Sequence, residues 1–443
     1  MAAASAPEIT RRLRGVYYGW ILVFVSAIIL IITSVPIFNA MTVWAVALES
    51  HFGWSRTQLG FALSLTRMEG SLSGPIAGYM TDRFGTRLMV FTGLLIMAGG
   101  FFLFSQVQNL WMFYLAFFIM SMGNGQGGWL PVMTMLNHWF VRQRSTAMAL
   151  SMAGMAFGAL FIVPAIAWAV DPDEDRLGWR LTAGVVGVVV VAAALLLPRF
   201  VRNRPQDYGL APDGDRVDRS GAGLRGSQAA GLRSRRPEIE QELTTRQALR
   251  TSAFWYITFG HGFGSMVILA VFSHLGLLMV GDLGYSLQTA AWIVTVYTAV
   301  AMLFQLVGGY AGDNIPKNLA LFIFTSIQGI AVLMLAFSSS LLQFYLFAVL
   351  FGIGFGGRNP LTTSIRGEYF GRASFGRILG VSQVPMNVLL LIAGPMAGYM
   401  RDVLGTYDEA FMTLAGLNFL GALLFLMARK PRLPATVPQP QAA

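Results

Sequence analysis

Long apolar runs alternate with short polar turns along almost the whole chain. From Tyr17 to about Asn39 the run is long enough, at 1.5 Å per residue, to cross the ~30 Å hydrocarbon core of a bilayer. Five more follow: Arg56 to Met80, Leu88 to Ser105, Leu110 to Asn137, Thr146 to Val170 and Leu181 to Pro198. A polar stretch then intervenes, and six further runs complete the chain: Ser252 to Val280, Leu287 to Gly312, Leu319 to Ser338, Leu341 to Tyr369, Phe375 to Met400 and Ala410 to Met427. The pattern predicts twelve membrane spans in two sets of six. The first run can also be read as a cleaved leader, but it continues well past the apolar core of such a leader. Pro36 and Asn39 interrupt its far end, where a cavity or a loop tolerates irregular backbone.

The division gives an N-terminal six-span unit over 1–198, a connector over 199–250 and a C-terminal unit with its tail over 251–443. The connector is rich in charge, Gly and Pro. Gly209 to Pro237 reads as a solvated linker, and Glu238 to Arg250 as a helix lying on the membrane surface. The halves also repeat locally. Gly127-Gly128-Trp129-Leu130-Pro131 aligns with Gly356-Gly357-Arg358-Asn359-Pro360, and Gly78-x-x-x-Asp82 with Gly309-x-x-x-Asp313, at offsets near 230 residues. Two related bundles, each nearly rigid, would enclose a path between them.

Composition agrees with that class and closes off others. Of 443 residues, 55% are hydrophobic and 12% charged, and the mean hydropathy is +0.60, too apolar for soluble domains. Under the twelve-span topology the 31 Lys and Arg divide into 25 on the side of the N-terminus, 4 on the opposite side and 2 within spans. By the positive-inside rule both termini and the connector are cytoplasmic, and the same bias accounts for the connector's arginines without nucleic acid. There is no cysteine, so no disulfide and no thiolate metal site. Gly352-x-Gly354-x-Gly356-Gly357 lacks the Lys and Ser/Thr of a phosphate loop and lies in a span. No nucleophile, base and acid set emerges, so the chain reads as no enzyme, with no cofactor and no metal.

The stretch TRMEGSLSGPIAGYMTDRFGTR, Thr66 to Arg87, holds a span-buried arginine and a compact charged turn. Gly78, Asp82, Arg83, Gly85 and Arg87 match the loop between spans 2 and 3 of the major facilitator superfamily, which the whole chain resembles. The second-half counterpart departs from the pattern, with Asn314 after Asp313 and Lys317 as the nearest basic residue. Tyr17-Tyr18-Gly19-Trp20 and Asn137-His138-Trp139-Phe140-x-Arg142-x-Arg144 resemble bacterial relatives of monocarboxylate and oxalate:formate carriers. The resemblance implies an all-α, polytopic fold of two pseudo-symmetric six-helix bundles, monomeric in a cell inner membrane, alternating access between two faces by symport, antiport or uniport. It also implies a conformational latch at Asp82, Arg83, Arg87 and Asp313.

Arg67 and Arg358 lie away from the span ends, one in each half, where facing lipid would be costly. Either they pair with Glu69 or backbone carbonyls, or they clasp an anionic substrate, whose carboxylate a guanidinium holds through two parallel bonds. Glu69 is two residues from Arg67 and so faces another way on a helix. It serves packing near Gly70 and Gly74, or carries a proton; His261 is a second proton-coupling candidate, and His274 suits a structural or interfacial role. Asn124, Gln126, Gln305, Asn359, Gln383 and Asn387 are candidate cavity polar groups, and Trp129 and Tyr297 candidate walls. Together these predict a secondary transporter of a small mono- or dicarboxylate coupled to protons. Exchange against a counter-anion, a neutral or cationic solute, and a receptor or membrane enzyme are the alternatives.

Overall fold

The computed structural model describes residues 17–171, 176–215 and 242–431, except the side chains at 42, 56, 57, 60–69, 71, 72 and 287. Among the described residues the chain forms fifteen α-helices and no strand. The first half contains α1 (Tyr18–Ser34), α2 (Met41–Phe52), α3 (Arg56–Phe84), α4 (Thr86–Ser105), α5 (Leu110–Gly127), α6 (Trp129–Trp139), α7 (Arg144–Val170) and α8 (Gly178–Leu196). The second contains α9 (Thr245–Leu249), α10 (Ser252–Leu277), α11 (Leu287–Asn314), α12 (Lys317–Ala336), α13 (Leu341–Phe370), α14 (Phe375–Leu404) and α15 (Asp408–Met427).

Ten of the described helices, some extended by an adjoining turn, are long and apolar enough to cross a membrane. The other two crossings are α3, whose polar residues lower its hydropathy, and the broken pair α5 and α6. Local chemistry sets the boundaries. Ser55 and Gln58 cap α3 reciprocally, Ser340 and Gln343 cap α13 in the same way, and Asn109 and Ser286 cap α5 and α11. Gly85, with φ +83°, makes the reversal between α3 and α4 that a side-chain-bearing residue rarely adopts.

Three segments differ from the sequence pattern. The first span passes at Val35–Asn39 into a π-helical turn around Pro36, and a separate helix, α2, comes next. Trp44, fully buried, fixes that turn by donating its indole N–H to the Pro36 carbonyl at 2.8 Å. The fourth span breaks at Gly128, where a Cβ would lie 2.7 Å from the Asn124 carbonyl oxygen and 2.8 Å from Thr33 Oγ1. Its repeat partner in α13 is continuous through Pro360. Of the expected surface helix, 238–241 lie outside the described residues, and the remainder forms only the five-residue α9, capped by Thr244 and Gln247. The solvated linker is described only to 215 and makes one short 3-10 turn there, Pro212–Gly214, with another, Gln206–Tyr208, just before it.

Each half has its own apolar core. That of the first half runs through Leu22, Phe101, Phe117, Met133 and Trp139, and the second half is filled around Phe347, Phe351 and Phe411 and around Phe254 and Ile365. The halves meet chiefly along α3 against α14 and α7 against α11. Phe375 and Leu379, at the connector-side end of α14, are buried in the first half's core. The two bundles therefore share packed apolar surface on the connector side.

Candidate functional site

At the connector-side end of α3, Asp82 reaches across to the other half. Its carboxylate, 1% exposed, accepts the backbone N–H groups of Gly376 and Arg377 at 3.0 Å each, and Arg377 Nε at 3.3 Å. These are orphan donors of the first turn of α14, and an anion is most stabilised at that end of a helix. Asp313, at the matching end of α11, accepts Ser145 N and Thr146 N of α7 at 2.9 Å each. From 82 to 313, 145 to 376 and 146 to 377 the step is the same 231 residues, so the two junctions are one motif used twice.

The glycine one turn before each aspartate permits the approach. A Cβ on Gly78 would overlap the Gly376 carbonyl, and one on Gly309 would lie 3.0 Å from the Ser145 carbonyl oxygen. Ser145 and Ser364 share a hydroxyl bond of 2.9 Å across the same seam. Arg83 and Arg87 do not cross it. Arg83 donates to Tyr79 at 2.8 Å and lies over the Phe84 ring, while the Arg87 backbone donates to Asn203. The cation at Asp82 is Arg377, which the sequence motif does not mark.

Farther into the membrane the halves bound a cavity of about 260 Å³. Asn124, Trp129, Gln383 and Asn387 line it, with Ser73, Ser121, Phe38 and the backbone of Gly70 and Gly74. The break at Gly128 places Asn124 and Trp129 at its wall, and Ser34 donates to Asn124 at 3.4 Å. Four of the sequence-chosen cavity residues are thus brought together. Gln126, Tyr297, Gln305, Asn359 and Arg358 do not line this space. Tyr297 is buried against Phe272, stacked at 5.6 Å, and Phe351, edge-on at 5.5 Å. Gln305 is buried, its side-chain carbonyl without a partner among the described residues, and Asn359 is half-buried. The side chains of Arg67 and Glu69 lie outside the described residues.

Arg358 is buried in α13, its guanidinium in the space left by Gly264 of α10, where a Cβ would be 2.7 Å from Nη1. Among the described residues Nε and Nη1 have no hydrogen-bond partner. Two turns farther along α13, Arg366 is also buried. It donates to the Thr362 carbonyl and approaches His261 Nδ1 at 3.5 Å. Since arginine only donates, Nδ1 of His261 is the acceptor there. Gln328 of α12 closes this region by donating to the Gly264 carbonyl at 3.3 Å. His274 stands apart, bound to Tyr407 Oη at 3.1 Å and the Gly394 carbonyl at 3.0 Å, and so joins α10 to α14 and the turn before α15.

The ends of the connector brace the same face. Trp139 donates to the Arg202 carbonyl at 3.0 Å, and Arg202 is sandwiched over Tyr18 at 3.8 Å and Tyr208 at 4.4 Å. Tyr17 donates to the carbonyls of Trp139 and Ala211. The Tyr17-Tyr18 and Trp139 motifs therefore meet each other and the connector. Among the described residues no group of three or more His, Asp or Glu is placed to hold a metal.

Two halves of six crossings each that meet around a polar cavity within a membrane-spanning bundle make this a polytopic membrane transporter. The chain belongs to the Major Facilitator Superfamily, whose model matches residues 20–287 and 254–443. It is 22% identical over 411 residues to monocarboxylate transporter 13 of Bos taurus, covering 91% of this chain and 88% of that one. It is 25% identical over 278 residues to a probable hexose phosphate transport protein of Chlamydia pneumoniae, covering 61% and 59%. Among solved structures it resembles FucP, a Major Facilitator Superfamily transporter in the outward conformation, with a TM-score of 0.68 and 16% identity over 94% of this chain and 100% of that one. That likeness is one of fold.

Proposed function

We propose that the chain carries a small organic anion, a mono- or dicarboxylate, by alternating access, in symport with protons. The observation that carries the reading is Arg358, a guanidinium buried within a span with two donor groups that find no partner among the described residues. A buried charge left in that state is costly, and a carboxylate entering from the path between the halves would supply both the charge and the acceptors. Arg67, the other arginine set away from the span ends and in the opposite half, is the sequence's candidate for a second contact. Both relatives named above are named for anions. A neutral polar solute is the second reading, favoured by the amides of Asn124, Gln383 and Asn387 beside Trp129.

In this reading the connector side is cytoplasmic, as its basic residues require, and Asp82 and Asp313 are latches that hold that side closed. Proton coupling falls to Glu69, a carboxylate in a span, with exchange against an internal anion as the competing mechanism. Counterflow of organic acids, amino acids and sugars into sealed vesicles is the deciding experiment. Flux of an acid that is lost in Arg358→Gln supports the anion; flux of sugars alone, kept in that variant, overturns it. Concentrative uptake driven by an inward proton gradient and lost in Glu69→Gln supports symport, whereas uptake that needs internal anion and ignores the gradient assigns exchange.

A further inference from the structure

The helices that receive Asp82 and Asp313 are held by a second pair of carboxylates, which come from the two ends of the connector. Asp213 accepts Val141 N at 3.2 Å, Arg142 N at 2.9 Å and Gln143 N at 3.4 Å, in the loop that opens α7. Its side chain is 5% exposed, and Arg142 also pairs with Asp215 at 2.6 Å. Asp213 has φ +57°, the only described non-glycine residue in the left-handed region. A backbone state of that cost persists where surrounding bonds fix it. At the other end, Glu242 accepts Arg372 N at 2.8 Å and Ala373 N at 2.7 Å, in the loop that opens α14. The next residue, Leu243, donates to the Phe370 carbonyl at 3.0 Å and ties that end to α13.

Each receiving terminus is therefore served twice. N–H groups 141 to 143 bind the half's own connector end, and 145 and 146 bind the opposite half; 372 and 373, then 376 and 377, repeat the division. The loops obey the 231-residue step, but the bracing acids do not: 213 precedes the undescribed part of the connector and 242 comes after it. The duplication of the halves did not supply them. Each brace acts within its own half: Asp213 binds the loop before α7, and Glu242 the loop before α14.

We propose that Asp213 and Glu242 are positioning residues of the transport cycle: each holds the loop that presents its half's N–H pair to the opposite half's aspartate. The proposal rests on the latch reading of Asp82 and Asp313. When the halves part, Asp82 and Asp313 leave with their own helices, while Asp213 and Glu242 stay with the loops. The receiving termini then keep their shape for reclosure, and ordering cost is not met anew in each cycle.

The test uses Leu379→Cys as the single cysteine of a chain that has none. Leu379 belongs to the second half, yet is buried in the first half's core, so its alkylation rate by a water-soluble maleimide in proteoliposomes reads opening of the connector side. Asp213→Asn and Glu242→Gln should each raise that rate about fivefold, the size of one charge-assisted bond made neutral. In double variants Asp213 should be coupled to Asp313 and not to Asp82, and Glu242 to Asp82 and not to Asp313, so that the matched doubles fall short of the product of the singles. Unchanged rates in the connector variants, or matched and mismatched pairs that multiply alike, overturn the proposal and leave the acids as loop staples. If Asp82→Asn and Asp313→Asn themselves leave labelling unchanged, the latch reading fails instead, and the positioning role falls with it. Should Asp213→Asn fold too poorly to label, Asp213→Glu, which keeps the charge on a longer stem, enters the same cycle.

Discussion

Replacing Asp82 by Asn tests the latch with the least change of shape. One carboxylate oxygen becomes an amide nitrogen, so either Gly376 N or Arg377 N faces a donor instead of an acceptor, and the charge opposite the first turn of α14 is lost. A hydrogen bond to a charged group contributes about 1.5–3 kcal/mol, and a charge at a helix N-terminus about 0.3–1 kcal/mol. The Arg377 Nε contact adds little, because that side chain is 41% exposed and screened by water. In the open state the carboxylate regains water, which offsets part of the loss, so the shift of the closed-to-open balance is about 2 kcal/mol, or roughly 30-fold. Alkylation of Leu379→Cys should rise by up to that factor, and counterflow should fall more than equilibrium substrate affinity. A rate within about twofold of the parent, with an unaltered transport cycle, would refute the assignment.

Gly78→Ala drives a methyl group into the Gly376 carbonyl. Overpacking of this kind costs about 1–3 kcal/mol, here against the closed state, and Leu379→Cys labelling should rise while Gly99→Ala, whose Cβ meets nothing within 4 Å, leaves it unchanged. His274→Phe removes both the Tyr407 and the Gly394 bonds from a buried site; a loss of about 1–3 kcal/mol should lower the thermal midpoint of the purified protein by several degrees. Arg358→Lys keeps the charge without the planar fork, and the reading of a clasped carboxylate predicts weaker binding of the transported acid by at least tenfold in direct titration.

The order of apolar runs, the two-by-six division and the pairing of Gly78-x-x-x-Asp82 with Gly309-x-x-x-Asp313 are one-dimensional facts, and the sequence by itself determined them. A membrane enforces that legibility, since every span must satisfy its own backbone and so appears as an uninterrupted helix-length run. The same rule hid the break at Gly128, because α5 and α6 together still read as one run and the departure depends on Asn124 and Thr33 close by. Four cavity residues could be picked from sequence as polar groups in spans, but Tyr297 was equally eligible and is stacked in a core. Polarity says that a side chain needs a partner; which face it turns to depends on helix rotation. The donors that receive Asp82 and Asp313 are backbone N–H groups, common to nearly every residue and invisible in the chain's lettering. Asp213 and Glu242, in a charge-rich connector, looked like surface charge for the same reason. Only the tertiary structure, by bringing helix ends from opposite halves within 3 Å of one carboxylate, decided which acids matter there.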